Sequence, residues 1–195
     1  MANNLLDSIL ERDKELLIYL NNLGSKQWDA MWLTITNQLN WIPLFVLILI
    51  LISIRFGFKK TMFTLLFITV LVAFSDQFTN LVKNTTGRLR PCNTPELQEY
   101  LRQFSYKPRG KSFWSGHASL STTFTVFIIL LLKSRFKFIY FLLIFPLLFG
   151  YSRIYLGVHY PVDVSVGFIS GILFGTLFYK VYKLLYLKVF KEKLV

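Results

Sequence analysis

The sequence predicts an all-α integral membrane protein, a bundle of about five spanning helices preceded by an amphipathic helix on the membrane surface. Hydrophobic residues make up 54% of the chain and charged residues only 16%, whereas a soluble domain carries about 25% charged residues. Apolar stretches recur along the chain at lengths near the roughly 17–25 residues that cross a bilayer. The net charge of +12 comes from short basic clusters between these stretches, a pattern typical of loops at a membrane surface rather than of nucleic-acid binding.

Residues 1–40 are expected to form an amphipathic interfacial segment. Acidic residues alternate with Leu and Ile between positions 5 and 17, which gives a helical spacing that is too polar to span a membrane. Trp28, Trp32 and Trp41 would lie where an interfacial aromatic belt is found. A membrane domain follows over residues 41–187, and residues 188–195 form a basic C-terminal tail.

Five apolar stretches are the predicted spans: 41–54, 61–82, 114–132, 138–152 and 162–179. The first and fourth are short, but both can extend into their flanks. Asp76, Asn80 and Lys83 share one face of the second stretch. Polar groups within a span usually face the bundle or a cavity, so these residues either line a site or serve packing.

Five spans distribute the connections over two faces. The first face holds 55–60, 133–137 and the C-terminal end, and the second holds the N-terminal segment, the loop 83–113 and the turn 153–161. Lys and Arg are equally frequent on both, but the short, densely basic loops of the first face are typical of the cytoplasmic side. We therefore expect a bacterial inner (plasma) membrane protein whose second face is periplasmic or exterior.

The chemistry-bearing residues converge on that second face. His117 and His159 are the two histidines of the chain, and the topology places both there. Pro161 suits the first turn of a helix, so Asp163 could fold back onto one ring nitrogen of His159 and leave the other free as a nucleophile. Alternatively, Asp163 favours the helix N-terminus through its dipole, and both effects can coexist.

Positive charge near these histidines predicts a phosphate site. Phosphoryl transfer depends mainly on positioning and charge stabilisation, and Lys83, Arg90 and Arg153 supply cations of the right kind. Ser115 and Gly116 would add backbone donors at a helix start. The loop 83–113 also carries a basic group that could attract an anionic head group or contact lipid phosphates: Arg88, Arg102, Lys107, Arg109 and Lys111.

Two further expectations concern the leaving group and cofactors. His117 remains to protonate the leaving oxygen. The sequence has no cluster of Asp, Glu, Cys or additional His suited to a two-metal site. We therefore expect neither a metal nor another cofactor.

Three linked motifs carry a family resemblance. Six residues separate Lys83 from Arg90-Pro91, and Ser115-Gly116-His117 follows. Five residues separate Ser152-Arg153 from His159, and three separate His159 from Asp163. This order and spacing resemble the signature of the type 2 phosphatidic acid phosphatase family. Trp114 departs from it, because Pro commonly precedes the Ser-Gly-His motif, and this puts the entry angle of the third span in doubt.

The resemblance implies an all-helical membrane fold and a division of labour. His159 would be the nucleophile that forms a phosphohistidine, His117 the general acid and Asp163 the residue that orients His159. The implied phosphate ligands are Lys83, Arg90, Ser115, Gly116, His117 and Arg153.

The expected function is a metal-independent lipid phosphatase acting on a phosphomonoester or diphosphate lipid. Within the type 2 phosphatidic acid phosphatase family, the chain resembles undecaprenyl diphosphate phosphatases, which recycle the carrier lipid of cell-wall synthesis. The resemblance therefore makes undecaprenyl diphosphate the preferred substrate and undecaprenyl phosphate its product. Phosphatidylglycerophosphate, phosphatidate and lipid A phosphate are alternatives, as is phosphotransfer to another lipid. A non-enzymatic transporter is the alternative of another class. The expected partners are the substrate and membrane lipids, without nucleic acid, and the oligomeric state is left open.

Overall fold

The computed structural model describes residues 2–194, apart from the side chains of residues 2–4 and 6. Met1 and Val195, the outermost residues of the predicted N-terminal segment and tail, lie outside it. Within this range the regular structure is helical, with one isolated bridge between Leu89 and Lys111, so the predicted all-helical class is confirmed. The α-helices are α1 (Ala2–Asn22), α2 (Lys26–Thr36), α3 (Ile42–Thr86), α4 (Gly116–Leu132), α5 (Ile144–Tyr155) and α6 (Pro161–Phe190).

Three helical stretches are long and apolar enough to cross a membrane within the described range. They are Gln38–Thr86, Lys137–Tyr155 and Pro161–Phe190, and the apolar α4 is shorter, at 17 residues. The second stretch begins as a 3-10 helix, Lys137–Leu143, and continues into α5. Each predicted span overlaps one of these helices, while the number of five crossings stays a prediction.

The chain reverses direction within α3, at Gly57. This residue has φ 69°, a left-handed conformation that glycine adopts without steric cost. The Phe45 ring lies 5.5 Å from Phe124, and the Phe67 ring lies 5.6 Å from Phe127. The two arms of α3 therefore run side by side against α4, which explains why the sequence has two apolar stretches, 41–54 and 61–82, where the structure has one kinked helix.

Helices α4 and α6 pack along a row of glycines. Gly167, Gly171 and Gly175 face α4, and a Cβ added to Gly171 would lie 2.7 Å from the Ser119 carbonyl oxygen. Small residues at a helix interface let two backbones approach closely in a membrane protein. This packing fixes the beginning of α4 beside the beginning of α6, and the Ser115 amide donates to the Asp163 carbonyl oxygen at 3.0 Å.

The N-terminal helices contribute buried side chains to the same end of the bundle. Leu17 of α1 is fully buried. Asn21 donates from its side chain to the Tyr155 carbonyl oxygen at 2.7 Å and accepts from the Arg102 amide at 2.8 Å. α1 is thus anchored to the loop 83–113 and to the end of α5, and its location in the membrane interface stays a prediction.

The opposite end of the bundle gathers the basic connections. Arg55 donates to the Ser134 hydroxyl at 2.7 Å, and Lys60 pairs with Glu192. These contacts unite the connections 55–60 and 133–137 with the C-terminal end, as the alternating topology predicts. α6 continues through Phe190, so the start of the predicted tail 188–195 is helical.

Candidate active site

One cavity of about 780 Å³ receives the charged residues that the sequence singled out. It lies between the two arms of α3, the beginning of α4 and the end of α5. Predicted site residues in its wall are Lys83, Arg90, Gly116, His117, Arg153 and His159. Four separate segments of the chain therefore deliver these groups to one place.

His159 is held at both ring nitrogens. The residue is buried in the turn between α5 and α6, with its Nδ1 3.3 Å from Asp163 Oδ2 and its Nε2 2.9 Å from Arg90 Nη1. A guanidinium can only donate hydrogen bonds, so Nε2 accepts and carries no proton. The ring proton is consequently on Nδ1, directed at Asp163, and the Nε2 lone pair faces the cavity cations.

The surroundings of His159 favour this neutral form. Burial lowers the pKa of His159 well below its usual value of 6.5, and the charges of Arg90 and Arg153 lower it further. A neutral imidazole has the lone pair that a nucleophile needs.

Buried guanidinium donors without an acceptor mark the cavity as an anion site. The Nε atoms of Arg90 and Arg153 are buried and find no acceptor among residues 2–194. Arg153 is otherwise fixed by Nη1, which donates to the Thr36 hydroxyl and, at 3.3 Å, to the Tyr106 hydroxyl. Buried donors are nearly always paired in native proteins, so these two are suited to oxygens of a bound anion.

The start of α4 supplies the second histidine. The His117 ring stacks on Phe149 at a centroid distance of 4.6 Å, which holds it against the cavity wall. A Cβ on Gly116 would lie 3.4 Å from Lys83 Nζ, so the glycine permits the close approach of that ammonium group.

Ser115 is placed differently from the other predicted ligands. It caps α4, and its hydroxyl accepts a hydrogen bond from the Ala118 amide at 3.4 Å. The cavity wall does not include it, so its role as a phosphate ligand remains a prediction. Trp114, which departs from the family motif, donates from Nε1 to the Thr79 hydroxyl at 3.2 Å and thereby ties the entry of α4 to α3.

Two charged residues at the site were not singled out by the sequence analysis as parts of the catalytic group. Arg88 pairs with Asp163 and with Asp13 of α1, at 2.7 Å in each case. Arg88 appeared in the sequence only among the loop cations, and Asp13 only as part of an amphipathic helix. No local spacing reveals these contacts of Asp13, because 75 positions separate it from Arg88 and 149 separate it from its other partner, Val162.

The far part of the cavity is apolar. It is lined by side chains from both arms of α3 and from α4, including Ile42, Phe45, Leu49, Ile68, Val72 and Phe124. Asp76 also lines the cavity and accepts from Asn80 at 3.0 Å. The site therefore joins a cationic end, which suits a phosphate, to an apolar part, which suits a hydrocarbon chain.

Comparisons with known proteins agree with this layout. A family model described as the PAP2 superfamily matches residues 61–186. The chain is 31% identical to a lipid A 4′-phosphatase of Bacteroides thetaiotaomicron, over 90% of this chain and 79% of that protein. It is 35% identical to an undecaprenyl-diphosphatase of Sulfolobus acidocaldarius, over 67% of this chain and 58% of that protein.

A solved structure has a similar fold. The crystal structure of a PAP2-type phosphatidylglycerolphosphate phosphatase from Bacillus subtilis superposes with a TM-score of 0.71 at 20% identity. The match covers 90% of this chain and 86% of that one, so the shared architecture extends over most of the helical bundle.

Proposed function

This chain belongs to the PAP2 superfamily and is a lipid phosphate phosphohydrolase, and from that premise we propose that it removes a phosphate from lipid A through a phosphohistidine. The observation that carries the mechanism is the hydrogen bonding of His159: its Nε2 accepts from Arg90, so a lone pair faces the cavity cations. The membrane helices and the relatives make the protein an integral membrane enzyme.

The first step transfers the phosphoryl group to His159. Nε2 attacks phosphorus and the bond between phosphorus and the lipid oxygen breaks. The leaving oxygen keeps the electron pair of that bond, and His117 donates a proton to it. Arg90 Nη1 occupies Nε2 in the resting enzyme, so the incoming phosphate must draw the guanidinium onto one of its own oxygens. Arg153 and Lys83 stabilise the remaining negative charge.

The second step returns the enzyme to its starting state. Water attacks the phosphorus of phosphohistidine, His117 accepts a proton from that water, and the bond between phosphorus and Nε2 breaks. Asp163 accepts the Nδ1–H hydrogen bond at 3.3 Å, so it stabilises the positive ring that forms during each transfer. Inorganic phosphate then leaves the cationic end of the cavity.

Lipid A is the substrate that the comparisons favour. The lipid A 4′-phosphatase aligns with 90% of this chain, whereas the undecaprenyl-diphosphatase aligns with 67%. The apolar part of the cavity can receive one acyl chain of such a lipid. This preference replaces undecaprenyl diphosphate, which the sequence analysis put first.

Undecaprenyl diphosphate is the second candidate. Its support is the 35% identity to an undecaprenyl-diphosphatase and the number of cations in the loop 83–113, since a diphosphate carries more negative charge than a monoester. A non-enzymatic transporter loses its support, because the family and the relatives are phosphatases.

Phosphate release by purified protein tests the proposal. In detergent with a chelator present, the protein should release inorganic phosphate from lipid A bearing a 4′-phosphate faster than from undecaprenyl diphosphate, phosphatidylglycerophosphate or phosphatidate. Mass spectrometry should detect the loss of one phosphate from the sugar lipid. Absence of release from all four lipids contradicts the proposed function. Release that stops on chelation contradicts the metal-independent mechanism.

Two histidine variants separate the proposed roles. His159→Ala should lose turnover on every substrate and form no acid-labile phosphoprotein, because the nucleophile is missing. His117→Ala should lose about 10²–10⁴-fold on the lipid, the usual contribution of a general acid, and much less on an aryl phosphate whose leaving group needs no proton. Equal losses on both esters would assign His117 to phosphate binding alone.

A further inference from the structure

Arg88 joins two buried carboxylates behind the nucleophile. Its Nη1 donates to Asp163 Oδ1 and its Nη2 donates to Asp13 Oδ2, each at 2.7 Å. The guanidinium also lies over the Tyr160 ring, 3.8 Å from its centroid. These contacts fix the planar guanidinium group at both terminal nitrogens and on one face.

Asp13 connects this pair to the beginning of α6. Its second oxygen, Oδ1, accepts from the Val162 amide at 2.9 Å. That amide is in the first turn of α6, one residue before Asp163. Through Asp13, α1 therefore contacts both Arg88, which pairs with Asp163, and the backbone next to Asp163.

Burial makes these pairings necessary. The side chains of Asp13 and Asp163 are 1% and 0% exposed, and that of Arg88 is 19% exposed. An ionised carboxylate inside a protein is costly unless it is paired and hydrogen-bonded. Asp163 Oδ2 already faces His159 Nδ1 and accepts from the Tyr160 amide at 3.1 Å, so Arg88 serves the remaining oxygen.

We propose that Arg88, held by Asp13 of α1, is a positioning residue for the His159–Asp163 pair. This inference rests on the proposed function, in which His159 attacks phosphorus. Arg88 keeps Asp163 Oδ2 directed at Nδ1–H, and the ring thereby keeps Nε2 directed at the cavity. Neither Arg88 nor Asp13 lines the cavity, so the effect concerns the rate of attack rather than the binding of substrate.

Kinetics of charge-removing variants test the inference. Arg88→Gln should lower kcat by about 10–100-fold, the range seen when the hydrogen-bonding partner that orients a metal-binding histidine is removed, while KM changes less than about threefold. Arg88→Lys should restore part of kcat, since an ammonium can reach one of the two carboxylates. The burst of phosphohistidine in single turnover should slow by the same factor as kcat.

Asp13 should act through Arg88. Asp13→Asn should lower kcat by a smaller factor, and the double variant with Arg88→Gln should lose less than the product of the two separate effects, because both belong to one network. Arg12→Gln and Asp7→Asn are matched controls, since both side chains are exposed on α1 and each variant removes the same charge. Both should retain the wild-type kcat.

Three outcomes overturn the inference. One is Arg88→Gln with wild-type kcat, and another is a rise in KM as large as the loss in kcat. The third is a lowered melting temperature without any change in the phosphohistidine burst, which would make the network a structural brace. Should Arg88→Gln not fold, Arg88→Lys and Asp13→Asn decide by the same criteria. Absence of turnover in the wild type instead contradicts the proposed function.

Discussion

At the scale of single residues, Arg90 has two partners that compete for one guanidinium group. In the resting enzyme its Nη1 donates to His159 Nε2, and its Nε has no acceptor among the described residues. A phosphate in the cavity offers oxygens to both. Arg90 lowers the pKa of His159 in the resting state, and we expect it to bind the phosphate once substrate arrives.

The pH dependence of the enzyme should reveal the first of these tasks. In the proposed mechanism neutral His159 is the reactive form, and its pKa lies well below 6.5 in the folded protein, so protonation of His159 should not lower kcat/KM as pH falls through 6.5. Arg90→Gln removes the charge that lowers the pKa of His159 more than any other charged group does. The acid limb of kcat/KM should therefore move to higher pH.

The control for this prediction is Arg12→Gln, which removes an exposed charge from α1. Its acid limb should coincide with that of the wild type. Because the substrate ionises identically in all three experiments, a difference between the limbs belongs to the enzyme. An unmoved limb in Arg90→Gln would show that Arg90 does not influence the ionisation of His159.

The individual residues differ in how far the sequence could predict them. Asp163 follows His159 by one helical turn, so its contact with Nδ1 follows from local geometry alone. Lys83, Arg90 and Arg153 were predicted to lie near the histidines because the topology puts all of them on one face, and the cavity wall includes them; their role as phosphate ligands stays a prediction. Arg88 and Asp13 were not, since their contact depends on how α1 folds over the loop.

At the scale of elements, the contact between α4 and α6 aligns the two histidines. His117 is the second residue of α4, and His159 lies two residues before the start of α6, so a shift of one helix against the other would separate the two side chains. The glycine row of α6 sets how closely α6 approaches α4, because its members touch the backbone or side chains of α4. The active site therefore depends on residues that lie a full turn or more inside the bundle.

Gly171→Ala tests this dependence. The added Cβ would lie 2.5 Å from Thr122 Cβ and 2.7 Å from the Ser119 carbonyl oxygen, so the helices must move apart. We expect a loss of about 1–3 kcal/mol in the free energy of unfolding, as for other overpacked cores, and a lower kcat. Leu173→Ala, at a position 63% exposed on the outer side of α6, should preserve both. Wild-type stability and rate in Gly171→Ala would contradict the close contact.

The sequence predicted the elements better than their connections. The two apolar stretches 41–54 and 61–82 correspond to the arms of α3. It is the positive φ of Gly57 that reverses the chain so that the two arms pack side by side. The row Gly167, Gly171 and Gly175 recurs every four residues, a signal that is visible in the sequence and that the hydrophobic pattern alone does not register.

At the scale of the whole molecule, the two ends of the bundle have different chemistry. One end carries Arg55, Lys60 and their partners Ser134 and Glu192, and the other carries the cavity of the candidate active site. Basic connections favour the cytoplasmic side. We therefore expect the cavity to face the periplasm or exterior, where a lipid phosphate of the outer leaflet is within reach.

Cysteine labelling in intact cells tests this orientation. Cys92 is the single cysteine of the chain, so a Cys92→Ser background accepts new cysteines at exposed positions on either end. Ser105→Cys, in the loop 83–113, should react with a membrane-impermeant maleimide in intact cells, and Lys59→Cys should react only after the membrane is permeabilised. The reverse pattern would place the cavity on the cytoplasmic side.

The hydrogen bond between Arg90 and His159 also bears on what the enzyme leaves intact. The bulk phospholipids around it are phosphodiesters with a single negative charge per phosphate, and a monoester carries up to two. A guanidinium seated on Nε2 at 2.9 Å leaves that position more readily for a dianion than for a monoanion. If His159 is the nucleophile, we expect this contact to act as a charge threshold that keeps it covered in the presence of the abundant diesters of the bilayer.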